Sequence, residues 1–113
     1  MKITLPYPPS VNTLYATVRG RRVLSKEGRK FKAKCGLLLR AQRVKMLTGE
    51  VSLWVKIYRP QKRGDLSNRI KSLEDAMTGI VYADDSQVVF INAQRFDDAA
   101  NPRAEVEVLE IVP

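Results

Sequence analysis

Residues 51–79 read VSLWVKIYRPQKRGDLSNRIKSLEDAMTG, and two different hydrophobic periods within them decide the fold. In residues 51–58, aliphatic side chains alternate with polar and aromatic ones, which predicts a strand whose aliphatic face is buried. In residues 67–78, apolar side chains recur every three or four positions, and Gly79 follows the last of them. A strand followed by an amphipathic helix is therefore predicted at the centre of the chain.

A short strand and a long helix are predicted on the N-terminal side of this unit. Residues 2–5 (KITL) alternate as a strand does, and the prolines of PYPPS end it. We predict an ordered but irregular loop for residues 6–22. Ser25 is a candidate N-cap, and from residue 26 to about residue 47 apolar side chains recur at helical spacing.

Two further strands are predicted on the C-terminal side. Residues 86–92 (SQVVFIN) and 104–111 (AEVEVLEI) are separated by the turn-rich stretch DDAANPR, which favours an antiparallel pair. The predicted fold class is α+β, with a mixed sheet, two main helices and the element order β-α-β-α-β-β. A length of 113 residues suits one domain that spans residues 1–113.

The composition excludes several kinds of active site. The chain has no histidine and one cysteine, Cys35, so a histidine base, a Cys-His pair and a Cys/His zinc site are all excluded. Any chemistry must use carboxylates, hydroxyls, amides and amines. We expect Cys35 to be a small buried residue in a protein of a reducing compartment.

We expect the protein to be cytoplasmic. The N-terminal stretch lacks the apolar run of a signal peptide. No window of the sequence approaches the roughly 20 apolar residues that a membrane-spanning helix needs. The sequence therefore predicts neither secretion nor a membrane location.

The positive charge of the chain points to a polyanionic partner such as nucleic acid. Lys and Arg number 20 against 12 Asp and Glu, which gives a formal charge of +8. Between Arg19 and Lys45 the basic residues are opposed only by Glu27, whereas a solvated helix face normally mixes both signs. We predict phosphate binding here, with solubility alone as the alternative. The candidate DNA-binding residues are Arg19, Arg21, Arg22, Arg29, Lys30, Lys62 and Arg63.

Candidate metal ligands lie at the ends of predicted elements. Asp65 precedes the second helix, and Asp84 and Asp85 precede the third strand, where side chains converge without disturbing a core. Mg²⁺ binds through one or two carboxylates and keeps water and phosphate oxygens as its other ligands. Such a metal supports phosphodiester hydrolysis without a histidine. Two structural alternatives stay open: Asp65 or Ser67 caps the helix, and the acidic pair forms a turn.

Lys71 is the candidate cation of this site. It lies on the first turns of the second helix, six positions after Asp65, where its ammonium could reach a phosphate or a leaving oxygen. The alternative is a pair within the helix, with Glu74 or Asp75, worth a few tenths of a kcal/mol. Spacing alone favours that alternative.

Three blocks of the chain resemble the signature blocks of one enzyme family. They are LPYPPSVNTLY at residues 5–15, DLSNRIKSLEDAM at 65–77 and YADDSQV at 82–88. In the same order and with similar separations, they are similar to the blocks of the RusA family of Holliday junction resolvases. The likeness extends over nearly the whole chain. The central block of that family has an Asp-Leu-Asp-Asn core followed by a lysine and an Asp-Ala pair.

The resemblance implies a homodimeric, Mg²⁺- or Mn²⁺-dependent endonuclease that binds four-way DNA junctions and nicks opposing strands. It assigns catalytic carboxylates to Asp65 and Asp85 and the essential lysine to Lys71, with Asn68 at the motif asparagine as a further DNA-binding candidate. Ser67 stands where the family has its second catalytic aspartate. Because a hydroxyl is a poorer Mg²⁺ ligand than a carboxylate, this position puts the metal site in question.

Three outcomes follow from Ser67. Asp65 and Asp85 hold the metal with Ser67 acting directly or through water, which we favour; another acid, such as Asp84 or Glu74, takes its place; or the protein binds junctions and cuts poorly. The leading hypothesis is a junction-cleaving endonuclease. The alternatives are a branched-DNA-binding protein with little or no catalysis and a basic protein-interaction module.

Overall fold

The computed structural model describes residues 1–62 and 65–112, and a four-stranded sheet lies at its centre. Two helices cover one face of this sheet, and a two-stranded hairpin stands beside them. In chain order the elements are β1 Lys2–Pro6, α1 Val11–Leu14, β2 Tyr15–Val18, β3 Arg21–Leu24, α2 Lys26–Ala41, β4 Val51–Arg59, α3 Leu66–Met77, β5 Val88–Asp97 and β6 Arg103–Glu110, with a short 3-10 turn at Asp85–Gln87.

The sheet is mixed, in the strand order β1-β6-β4-β5. β6 is antiparallel to both β1 and β4, whereas β5 is parallel to β4. The predicted α+β class, the mixed sheet and the two main helices are confirmed. The predicted pairing of the last two strands is wrong, because β4 lies between β5 and β6.

The burial of β4 explains its central position. Leu53, Val55 and Ile57 are almost fully buried against the helices, and they alternate with Trp54 and Lys56 on the opposite face. β5 has mostly exposed side chains and lies at the edge of the sheet. The more apolar strand therefore has neighbours on both sides, and the less buried one has a neighbour on one side.

Two amphipathic helices cover one face of the sheet. α2 buries Phe31, Cys35 and Leu39, and α3 buries the face that includes Ile70 and Leu73. The side chain of Ser25 caps α2 by accepting a hydrogen bond from the Gly28 N–H at 2.9 Å, as predicted. Burial raises the pKa of the Cys35 thiol to about 12, so this cysteine is chemically inert.

The predicted end of the first long helix, near residue 47, is wrong. α2 ends at Ala41, because Arg43 adopts the left-handed region at φ 57° and cannot continue the helix. The side-chain amide of Gln42 donates to the carbonyls of Leu38 and Thr4, at 2.9 and 3.2 Å. These hydrogen bonds fasten the end of α2 to β1.

The N-terminal loop also has more regular structure than predicted. Its residues form α1 and the hairpin of β2 and β3. The hairpin turns at Arg19 and Gly20, whose φ angles of 52° and 75° both lie in the left-handed region that two-residue hairpin turns use. The turn projects its basic side chains into solvent.

Gly28 allows the end of α1 and the start of the hairpin to pack closely against α2. A Cβ atom at Gly28 would lie 2.2 Å from the Leu14 carbonyl oxygen, so only glycine permits this approach of the two backbones. The same carbonyl accepts hydrogen bonds from the Ser25 N–H at 2.9 Å and its hydroxyl at 3.1 Å. The start of β2 is thereby fixed relative to the helices.

No helix in the described part of the chain is both long and apolar enough to span a membrane.

Candidate active site

Asp65 caps α3, as one of the two alternatives from the sequence predicted. Its Oδ1 accepts a hydrogen bond from the Ser67 N–H at 2.8 Å, and both side chains are exposed. A carboxylate here also complements the positive end of the helix dipole. Capping occupies one oxygen of Asp65, so this role does not prevent the exposed carboxylate from binding a cation.

Lys71 joins α3 to the turn that precedes β5. Its Nζ lies 3.4 Å from Asp85 Oδ2 and 3.5 Å from Asp75 Oδ1. The pairing with Asp75 within the helix is confirmed. Lys71 also contacts Asp85, which lies 14 residues further along the chain. Burial opposes the charge of Lys71, but the carboxylates of Asp75 and Asp85 outweigh it and raise the pKa of the ammonium. Lys71 is therefore held as a cation between two carboxylates.

Tyr82 and Gln87 fix the turn that bears the acidic pair. The buried Tyr82 donates its hydroxyl to the Glu74 carbonyl oxygen at 3.1 Å, which anchors the turn on α3. The side-chain oxygen of Gln87 accepts the Asp84 N–H at 3.0 Å. Its amide nitrogen donates to the Leu47 and Gly49 carbonyls at 3.0 and 2.8 Å. The position of the acidic pair thus depends on two other segments of the chain, α3 and residues 47–49.

Asp84 and Asp85 differ in their contacts. Asp84 caps the 3-10 turn by accepting the Ser86 N–H at 2.9 Å, and this backbone hydrogen bond is the main cause of its lowered pKa. Asp85 faces Lys71 and keeps about half of its side chain exposed. The turn predicted for the acidic pair is confirmed, and it presents Asp85 to the helix that bears the lysine.

Glu74 and Tyr15 complete the acidic surroundings of Lys71. Burial is the largest cause of the raised pKa of Glu74, and the neighbouring Asp85 and Asp75 raise it further against the opposing effect of Lys71. The Tyr15 hydroxyl donates to Asp75 Oδ2 at 2.9 Å. Sequence reasoning missed Tyr15, because 60 residues separate it from its partner.

The carboxylates predicted as metal ligands suit a hard cation in type but do not form a preformed cage. Asp65, Asp84 and Asp85 are exposed carboxylates, and Mg²⁺ prefers oxygen ligands and needs few of them from protein. Within residues 1–62 and 65–112, no three acidic or cysteine residues converge closely enough to bind a metal ion. Substrate phosphate and water would have to supply the remaining ligands.

The predicted DNA-binding residues lie mainly on the hairpin and on α2. Arg19, Arg21 and Arg22 are exposed on the hairpin, and Arg29 and Lys30 are exposed on the first turns of α2. In the described ranges, no basic residue between Arg19 and Lys45 forms an ion pair. This surface therefore keeps its positive charge available for phosphates.

The remaining DNA-binding candidates precede α3 in the sequence or belong to its first turn. Lys62 is exposed and Asn68 is half-buried, whereas Arg63 lies outside the described residues. Arg69, which was not a candidate, donates to the Pro8 carbonyl at 3.0 Å and lies 5.1 Å from the Tyr7 ring centre. The contact explains how the proline-rich first block is packed on α3.

Comparison with known families decides the relationship of this chain. Residues 6–109 match the family model described as Endodeoxyribonuclease RusA. The chain belongs to the RusA family. It is 30% identical over 112 residues to the crossover junction endodeoxyribonuclease of Enterobacteria phage 82, a match that covers 96% of this chain and 93% of the relative.

Other relatives of this RusA-family chain come from bacterial genomes. The crossover junction endodeoxyribonuclease RusA of Escherichia coli K12 is 30% identical, with the same coverage of 96% and 93%. The uncharacterized protein YqaN of Bacillus subtilis is 31% identical over 88 residues, covering 58% of this chain and 61% of YqaN.

Proposed function

We propose that this chain is a Mg²⁺- or Mn²⁺-dependent endonuclease that resolves four-way DNA junctions by paired nicks. The observation that carries the proposal is the contact of Lys71 with Asp85, at 3.4 Å, between two different elements. Family membership supports the reaction class, because the relatives that match along nearly the whole chain are crossover junction endodeoxyribonucleases. We place the activity in the cytoplasm.

In this proposal the metal is held by Asp85 and Asp65, with Asp84 beside the site. When bound, Mg²⁺ supplies an activated water and neutralises charge on the phosphate. The Lys71 ammonium stabilises the negative charge that develops on the leaving oxygen. Ser67 offers a neutral hydroxyl next to Asp65, so the metal would be bound more weakly than with a second carboxylate at that position.

DNA binding is assigned to the unpaired cations of the hairpin and α2. They lie at the surface, and within the described part of the chain none of them forms an ion pair. Asn68 lies on the first turn of α3, and Lys62 precedes Asp65 by three residues in the sequence. A phosphate backbone that contacts both regions would reach the start of α3, where Asp65 lies.

A cleavage assay on a synthetic four-way junction tests the nuclease proposal. We expect the wild type to nick opposing strands with Mg²⁺ or Mn²⁺, and Asp85→Asn to abolish cutting while junction binding persists. Glu110→Gln, an exposed carboxylate at the end of β6, is the matched control and should cut normally. Absence of wild-type cleavage with both metals, or normal cleavage by Asp85→Asn, would contradict the proposal.

A second candidate function is branched-DNA binding with little or no catalysis. It is favoured by Ser67 and by the lack of three converging acidic residues in the described ranges. This alternative predicts salt-sensitive junction binding that EDTA does not affect. Ser67→Asp separates the two functions: increased cleavage assigns the position to the metal site, whereas no cleavage by either protein favours the binding function.

We propose that two copies associate through the outer edge of β5. Paired nicks require two sites related by a two-fold axis. β5 is ten residues long, pairs only with β4 in the described structure, and exposes Val89, Phe90 and Ile91. Such an apolar edge readily pairs with a second strand.

Mass measurement by light scattering tests this association. We expect wild type to have the mass of two chains and Ile91→Asp that of one. Leu37→Asp, an exposed apolar position on α2, is the control and should keep the wild-type mass. A wild type that cleaves junctions as a single chain would refute the association.

A further inference from the structure

Asp75 is the more enclosed of the two carboxylates that contact Lys71. Its side chain is 22% exposed, against 48% for Asp85 and 49% for Lys71. Asp75 and Lys71 share α3 at a spacing of four residues, so their separation is set by one helix. Asp85 lies on a separate turn. The two carboxylates therefore differ in solvent exposure, and only Asp75 lies on the same helix as Lys71.

Tyr15 orients the Asp75 carboxylate. The tyrosine hydroxyl donates to Oδ2 at 2.9 Å, which leaves Oδ1 facing the Lys71 ammonium at 3.5 Å. Burial raises the pKa of Tyr15, and the hydrogen bond to Asp75 raises it further, so the hydroxyl keeps its proton and remains a donor. The two oxygens of Asp75 thus have different partners.

The position of Tyr15 is fixed by elements other than α3. Tyr15 follows the buried Leu14, whose carbonyl accepts the Ser25 N–H and lies against Gly28. The guanidinium of Arg22 lies 4.2 Å from the Tyr15 ring centre, a distance suited to a cation–π contact. The hairpin therefore connects its basic surface to the carboxylate beside Lys71.

We propose that Asp75, oriented by Tyr15, is a positioning residue that keeps the Lys71 ammonium in place for catalysis. The inference rests on the proposed function, in which Asp85 binds the metal. A carboxylate that binds a metal is a weaker anchor for an ammonium, because the metal competes for its oxygens. Asp75 is outside that competition and retains Lys71, whose flexible side chain would otherwise sample many rotamers.

The simpler explanation is a surface pair within a helix, which contributes little. The Tyr15 hydrogen bond argues against it, because an exposed pair needs no third group to orient its carboxylate. The two explanations predict different kinetics. A surface pair can be removed without changing turnover, whereas a positioning residue affects turnover and leaves DNA binding intact.

Steady-state cleavage kinetics test the positioning role. We expect Asp75→Asn to lower kcat by about 10- to 100-fold, as loss of a supporting partner commonly does, with an unchanged KM. Tyr15→Phe should lower kcat by a smaller factor. Added to Asp75→Asn, it should have no further effect, because it acts through the same carboxylate. Asp75→Glu should recover part of the lost turnover.

Tyr7→Phe is the matched control for Tyr15→Phe. Tyr7 also packs against α3, through Arg69, but within the described residues its hydroxyl has no hydrogen bond. Its removal should leave kcat unchanged. Equal effects of the two Tyr→Phe changes, or independent effects of Tyr15→Phe and Asp75→Asn, would overturn the inference. Thermal unfolding by circular dichroism confirms that each variant is folded.

Lysine ¹⁵Nζ NMR tests the same contact without catalysis. In wild type we expect the Lys71 ammonium protons to exchange slowly with water and to stay protected after Mg²⁺ is added. In Asp75→Asn the protection should be lost, and in Tyr15→Phe it should decrease. Unchanged protection in both variants refutes the positioning role. If wild type cuts no junction, the nuclease proposal fails, and this measurement still decides whether Asp75 holds Lys71.

Discussion

The two faces of the four-stranded sheet differ in what covers them, although each strand contributes to both. On one face Leu53 and Val55 are buried beneath α2 and α3. On the other face, Trp54 pairs with Phe90 at 5.2 Å between ring centres, and Arg103 lies 3.8 Å from the Tyr58 ring centre. No helix covers this second face in the described structure.

The candidate site lies on the side of the sheet that α2 and α3 cover, the covered side. Lys71 and Asp75 lie on α3, whose apolar face is buried in the core. The unpaired cations of the hairpin and α2 also belong to that side. The uncovered face has mixed charges, such as Lys56 beside Glu105 and Glu107. Substitutions on the two faces should therefore affect stability and DNA binding differently.

Neighbouring residues of β4 give the largest expected contrast. Leu53→Ala should lower the free energy of unfolding by about 2–5 kcal/mol, because it leaves a cavity beneath the helices. Trp54→Ala removes a side chain that is 42% exposed and one aromatic pair, worth about 0.5–1.5 kcal/mol. Urea unfolding at one protein concentration measures both. Similar losses for the two variants would refute the difference between the faces.

Two glycines of α2 test how tightly the covered side is packed. Gly28→Ala places a Cβ 2.2 Å from the Leu14 carbonyl oxygen and should cost about 1–3 kcal/mol. Gly36→Ala meets only Ile80 Cδ1, at an ordinary 3.8 Å, and should stabilise the helix by up to about 1 kcal/mol. Thermal unfolding compares them. A stabilising Gly28→Ala would show that α1 does not approach α2 this closely.

Much of the covered side could be predicted from local patterns. The alternation in residues 51–58 and the helical spacing in residues 67–78 correspond to β4 and α3. The pairing of β5 could not be predicted, because a strand's own pattern does not identify its neighbour. The hairpin was missed because its strands lack regular alternation. The Arg19-Gly20 pair was the available turn signal.

The contacts of the candidate site also divide into those that sequence spacing predicts and those that it does not. The capping role of Asp65 and the pairing of Lys71 with Asp75 follow from spacing on one helix. The contact of Lys71 with Asp85 and that of Tyr15 with Asp75 join distant segments, which only the fold brings together. The departure at Ser67 is visible in the sequence. Its effect on metal binding stays a prediction, tested by Ser67→Asp.

Cations on the covered side and on the uncovered face of the sheet should contribute differently to DNA binding. Arg21→Gln, on the hairpin, should lower the slope of log affinity against log salt by about 0.9, as loss of one phosphate contact does. Lys56→Gln, on the uncovered sheet face, should leave the slope unchanged. Fluorescence anisotropy with a labelled four-way junction, without metal, measures both. An effect of Lys56→Gln that equals that of Arg21→Gln would place DNA on both faces.

Glu74 gives the smallest expected effect, a pH-dependent one on the covered side. Burial raises its pKa in the folded protein above the ordinary 4.5, so folding favours the protonated form. The stability that this form contributes is present below pH 4.5 and is lost as pH rises through the folded pKa.

Glu74→Gln, which stays neutral, should therefore melt at a higher temperature than wild type at pH 7. This change in melting temperature should be smaller than the one that Gly28→Ala causes. The difference should disappear as pH falls below 4.5, because wild-type Glu74 is then neutral too. Glu110→Gln, which removes an exposed charge outside this cluster, is the control in the same melting series. A Glu74→Gln protein that is less stable than wild type at pH 7 would show that attraction to Lys71 outweighs burial at this position.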